Sequence, residues 1–154
     1  MRIVSILENK KVEKRVAITP EIAKKYIELG LEVLLSENYA EHLGINDNEY
    51  KEIGVKISKD EKEIINSADI ILQLGLPDDD KCSLIKENQT LIGVLNPYLN
   101  ENKINNLVKR NINVLSLELL PRITRAQSMD ILSSQANLAG YKAVLESFAN
   151  FEKA

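Results

Sequence analysis

Two short runs, Asp69 to Leu74 (DIILQL) and Thr90 to Leu95 (TLIGVL), are apolar almost without interruption. A strand with one wet face alternates apolar and polar residues. A run without that alternation is buried on both faces, as in parallel sheets covered by helices. Further strand-like segments stand at Arg2 to Ile6 (RIVSI), Glu32 to Leu35, Val55 to Ile57 and Asn113 to Leu117 (NVLSL). Helical patterns fall between them. Thr19-Pro20 opens the first, with Thr as N-cap and Pro at the first helical position. Ile22, Ala23, Tyr26, Ile27 and Leu29 form its apolar face, and Gly30 ends it. A short helix is predicted over Asp47 to Ile53, stopped by Gly54. Another starts at Ser58-Lys59-Asp60-Glu61, a capping-box pattern, and runs to about Asn66. Asn100 to Lys109 reads as a helix, and Met129 to about Glu152 as a long one with Gly140 inside it. Residues 36–46 read as irregular, and Gly75-Leu76-Pro77 with the three aspartates 78–80 as a loop. Strand–helix alternation at this spacing means βαβ units, a parallel sheet and right-handed crossovers, an α/β chain.

Composition narrows the function. The chain has 154 residues, the size of one domain able to bury about two-thirds of its unfolded surface. With 44% hydrophobic and 28% charged residues it is an ordinary globular sequence rather than a disordered tail. No apolar run approaches the length of a membrane span. The opening MRIVSILENKK is too short and too polar to read as a signal peptide. A net charge of -3 makes a poor non-specific nucleic-acid binder, and the absence of Trp disfavours a stacking platform for single strands. Cys82 is the single cysteine, so no internal disulfide forms and a reducing compartment fits. One Cys and one His, His42, cannot make a structural zinc site. A Ser-His-Asp triad would have to use His42, and nothing around it supports one.

In open parallel sheets ligands sit beyond the carboxyl ends of the strands. Three polar segments fall there: residues 8–15, the loop after DIILQL, and residues 118–128. The last leads into PRITRAQSMDILSSQANLAG (121–140), which concentrates Arg122, Thr124, Arg125, Gln127, Ser128, Asp130, Ser133 and Ser134. Such a set can clamp a polar planar ligand, since an amide side chain pairs with a carboxamide and arginine with a carboxylate or phosphate. The plainer reading has Ser128 capping the long helix and Asp130 complementing its dipole. On residue chemistry alone the two readings weigh equally. Glu13, Lys14 and Arg15 form a second charged cluster, read as solvated. Cys82 reads as an inert loop thiol, and the aspartates 78–80 as a solvated turn rather than a cation site. The nearest glycines are ten residues apart, so neither G-x-G-x-x-G nor G-x-x-x-x-G-K occurs. If the chain handles a dinucleotide, it handles one end of it.

RVAITP (15–20) and PRITRAQSMDILSSQANLAGYKAV (121–144) closely resemble the amino-terminal part of the alpha subunit of proton-translocating NAD(P) transhydrogenases, and the similarity runs through essentially the whole chain. Alanine dehydrogenases, in the same superfamily, share the RVA-x-TP opening. They carry a substrate-binding Lys where this chain has Gln73 and a catalytic His where it has Asn96. Those two departures argue against an amino-acid dehydrogenase.

The resemblance implies a three-layer Rossmann-like (flavodoxin-like) parallel sheet with helices on both faces. It implies that residues 1–154 are the first of two such subdomains in an NAD(H)-binding component, and that the glycine-fingerprint subdomain lies outside this sequence. In that family the component exchanges hydride directly with NADP(H) on a partner component, while a membrane component couples the transfer to proton movement. The implied partners are therefore the second NAD-binding subdomain, the NADP(H)-binding component, the membrane component and a second copy in a homodimer. The implied location is cytoplasmic, peripheral to the inner membrane, without direct membrane insertion. By the same resemblance Arg122, Gln127, Asp130 and Ser133 surround the nicotinamide, with Arg125 beside them. Gln127 positions the ring, and an Arg122–Asp130 pair fixes the loop. Alone, the chain is expected to bind NAD weakly and to catalyse nothing. Two other readings follow from the same residues: a non-catalytic binding or assembly module of this fold, and, more weakly, an alanine dehydrogenase-like fragment.

Overall fold

The structure, a computed structural model, describes residues 1–152. Six strands are laid down in chain order: β1 (Arg2–Ser5), β2 (Glu32–Ser36), β3 (Lys56–Ser58), β4 (Ile70–Leu72), β5 (Thr90–Gly93) and β6 (Asn113–Ser116). The helices are α1 (Pro20–Glu28), α2 (Asp47–Glu52), α3 (Glu61–Asn66), α4 (Asp79–Leu84), α5 (Glu101–Lys109) and α6 (Ile131–Ala149). The strands form one sheet in the order β3-β2-β1-β4-β5-β6, every neighbouring pair parallel. That is the doubly wound Rossmann order rather than the 2-1-3-4-5 order of flavodoxin-like sheets.

Burial follows the pleat. Val4, Leu34, Ile71 and Leu91 point to one face and pack with Ile64 and Ile65 of α3, Cys82 of α4 and Leu107 of α5. Ile3, Val33 and Leu35 point to the other and pack with Ala23 of α1 and Tyr50 of α2. Consecutive residues of one strand thus serve two different cores, which is why the strands read as unbroken apolar runs.

Two expectations shift in the fold. The aspartates 78–80 do not make a loop: Asp78 is the N-cap of α4, which carries Cys82 into the core at 8% exposure. The capping-box pattern at Ser58 is not used. Asp60 caps α3 by accepting from the Lys62 and Glu63 amides. The capping box stands instead at α2, where Asn46 accepts from Asn48 and Glu49 and the Glu49 carboxylate accepts from the Asn46 amide.

The chain divides into two compact units, Met1–Ser116, which holds the whole sheet, and Leu117–Ala154, which holds the polar segment and α6. Apolar residues fall all around α6, and Leu138, Tyr141, Val144, Leu145 and Phe148 are exposed. Among the described residues no helix is long and apolar enough to cross a membrane.

Candidate functional site

The polar segment of the second unit is built around a 3-10 turn, Thr124–Met129, followed directly by α6. Asp130 is the hinge between them. Its backbone is extended, and its Oδ1 accepts from the Leu132 and Ser133 amides, both at 3.0 Å. The Ser133 hydroxyl donates to Asp130 Oδ2 at 2.7 Å. These bonds, from the Ser133 hydroxyl first and then the two amides, with Arg122 adding a smaller Coulombic pull, hold the Asp130 carboxyl below the usual carboxylate range. The cap is therefore Asp130 and not Ser128.

Arg122, Gln127, Asp130 and Ser133 line one open crevice of about 350 Å³, together with Pro121, Ile123, Thr124 and Ala126. Arg125 does not line it. Gln127 and Arg122 are exposed, and among the described residues neither side chain holds a hydrogen bond or ion pair. No bond joins Arg122 to Asp130, so the expected pair does not fix the loop here. Capping does, through Asp130 and Ser133. The arrangement leaves one amide and one guanidinium facing a concavity whose floor is held by the start of α6. An amide offers a donor and an acceptor side by side, which matches a carboxamide, and a guanidinium matches an anionic or carbonyl oxygen.

In the first unit, a second crevice lies outside the carboxyl ends of β1 and β4, lined in part by Glu8, Glu13, Gln73 and Lys81. Glu8 Oε1 accepts from the Leu74 amide at 2.5 Å. Burial pushes the Glu8 carboxyl up, against the opposing pull of backbone amides at Leu74 and Gly75. Sequence reasoning passed over Glu8. The available signal was its place two residues beyond a fully apolar strand. Of the charged cluster next to it, Glu13 is paired to Arg15 at 2.7 Å and lowered by that contact. The Lys14 carbonyl is bonded to His42 Nε2 at 2.7 Å. Gln73 is 3% exposed at the end of β4, and Asn96, just beyond β5, has left-handed backbone at φ 47°. Cys82 is buried, and desolvation pushes its thiol up, away from reactivity. Among the described residues no group of three or more His, Cys, Asp or Glu side chains is placed to hold a metal ion.

Comparison with known proteins adds an independent line. Residues 6–139 match the family model described as "Alanine dehydrogenase/PNT, N-terminal domain". In Rickettsia prowazekii, the first of the polypeptides that make up NAD(P) transhydrogenase subunit alpha is 42% identical, with all of this chain aligned to 41% of that protein. The protein of the same description from Rhodospirillum rubrum is 38% identical over the same shares. The crystal structure of transhydrogenase from Sinorhizobium meliloti superposes with a TM-score of 0.88 at 37% identity, covering 99% of this chain and 46% of that one. The chain thus spans about two-fifths of the length of the curated relatives it matches.

Proposed function

The chain belongs to the alanine dehydrogenase/PNT N-terminal domain family, and from that premise we propose that it is part of the NAD(H)-binding component of an NAD(P) transhydrogenase, contributing the loop that faces the nicotinamide. The observation that carries this is the crevice of the second unit. Gln127 and Arg122 line it without partners among the described residues, while Asp130 and Ser133 lock the turn that presents them. Free polar groups on a rigid turn are what recognition of a flat polar ring requires.

The role assigned to these residues is orientation. The nicotinamide, when bound, supplies the hydride chemistry itself. Gln127 pairs with the carboxamide and sets the rotation of the ring, and Arg122 stands at its edge. Asp130 and Ser133 keep the turn from shifting. Arg125 lies outside the crevice lining and is the weaker contact. No side chain has to give or take a proton, because transfer between two nicotinamides needs proximity and exclusion of water. The pyrophosphate is held by a second subdomain carrying the glycine fingerprint. NADP(H) sits on a separate component, and a membrane component couples transfer to proton movement. The component pairs as a homodimer, cytoplasmic and peripheral to the inner membrane.

The test is Gln127→Asn in the assembled enzyme. A side chain one methylene shorter is expected to slow hydride transfer by about tenfold to a hundredfold, the usual effect of displacing a reacting group by about 1 Å, with NADH affinity little changed. Unchanged transfer removes the assignment. A non-catalytic assembly module is favoured by one observation, that two of the four crevice residues, Asp130 and Ser133, already serve as a helix cap. Gln73 and Asn96, where an alanine dehydrogenase would have Lys and His, continue to argue against the third reading.

A further inference from the structure

The crevice of the first unit takes no part in the reading above. It lies between β1 and β4, the strands at which the chain's winding reverses, the position where doubly wound sheets bind small molecules. Its volume is about 350 Å³. Gln73 lines it, and its Oε1 accepts from the Ile6 amide at 2.9 Å and from the Ser5 hydroxyl at 2.8 Å. The Ile6 bond decides the orientation of the amide, since a backbone N–H can only meet the oxygen. Ser5 is itself bonded to Tyr39, whose hydroxyl accepts from the Ala17 and Ile18 amides. The Gln73 oxygen is thus held by a relay reaching across the sheet. Its amide nitrogen has no partner among the described residues, although the residue is 3% exposed. A buried donor left over at a crevice wall is a place where a ligand oxygen is missing.

The charges around it select what carries that oxygen. Glu8, Glu13, Glu61 and Asp78 line the crevice against one cation, Lys81. Lys81 is matched by Glu61 at 3.0 Å, and Glu13 by Arg15 at 2.7 Å. Among the described residues, Glu8 and Asp78 are left without a salt-bridge partner. A carboxylate or phosphate ligand would meet net negative charge here, and a cation would be drawn in.

We propose that this crevice binds a small organic ammonium compound that also carries an uncharged carbonyl oxygen, the oxygen accepting from Gln73 and the ammonium facing Glu8. Burial of the Glu8 carboxyl agrees with this, because a cation beside it relieves the desolvation that pushes its pKa up.

The test uses the full chain, isotopically labelled, titrated with glycinamide while the Gln73 side-chain NH2 and Leu74 amide resonances are followed. A saturable shift at both is expected. Acetamide, lacking the ammonium, and glycine, carrying a carboxylate instead of an amide, should each bind at least about tenfold more weakly, the effect of losing one charge-assisted bond. Gln73→Met should abolish the response. Should that variant fail to fold, because Ser5 and Ile6 lose their acceptor, Glu8→Gln keeps an oxygen for the Leu74 amide and removes only the charge. It should weaken glycinamide by a similar factor and leave acetamide unaffected. An absence of saturation, equal binding of glycine, or a Glu8→Gln protein that binds glycinamide as the parent does would each overturn the proposal and leave water as the partner of Gln73.

Discussion

The Asp130 carboxylate accepts three hydrogen bonds at the start of α6, and they fix the sign of its pH dependence. Its folded pKa lies below the usual carboxylate value. The cap is therefore fully formed above the unfolded-state pKa and is lost as pH falls through the folded one. The backbone amide resonances of Leu132 and Ser133 are expected to titrate with a midpoint below that of an ordinary aspartate. Asp130→Asn should remove the titration while keeping the cap at neutral pH, since Asn caps as well as Asp. A midpoint at or above the ordinary value would show that the cap bonds do not form in solution. Glu8 has the opposite sign, because burial raises it, so its contribution to stability declines as pH rises. The residue types of the candidate site were legible in the sequence. The division of labour among them was not. Ser128 and Asp130 are both good caps, and only the extended backbone at 130 chose between them.

At the scale of elements, β4 and β5 approach so closely that side chains are excluded at one point. A Cβ on Gly93 would lie 2.3 Å from the Gln73 carbonyl oxygen, against backbone that cannot swing aside. The ladder continues through this point, with the Gln73 amide bonded to the Ile92 carbonyl and the Val94 amide to that of Leu74. Gly93→Ala is expected to destabilise the fold by about 1–3 kcal/mol, the usual cost of overpacking, read as a lowered urea midpoint. An unchanged midpoint would mean that the strands part freely. Helices with a clear start and stop, such as α1 between Thr19 and Gly30, were legible in advance. α4 was not. Its six residues begin with two aspartates and follow a proline, a pattern that fits a turn equally well, and helices this short owe their stability to packing rather than propensity. What holds α4 is tertiary: Cys82 in the core, and Arg110 donating to the Cys82 and Ser83 carbonyls at its end.

For the whole molecule, a helix that is apolar on all sides and exposed, as α6 is, normally lies inside a larger body. The relatives it matches are more than twice as long as this chain. Both facts support a second subdomain as the first partner. Adding a polypeptide that bears the glycine-fingerprint subdomain, together with the NADP(H)-binding component, is expected to restore NADH-dependent hydride transfer that this chain alone does not perform. A complex that assembles without any transfer would favour the assembly-module reading.

Sequence alone determined the elements, their faces and the loop rich in polar groups, because periodicity, caps and turns are written in residues a few positions apart. The strand order 3-2-1-4-5-6 and the meeting of Gln73 with Ser5 and Ile6 across more than 60 residues were decided only by the tertiary structure. Contacts between distant segments depend on how whole strands pair, and no local window of residues contains that information.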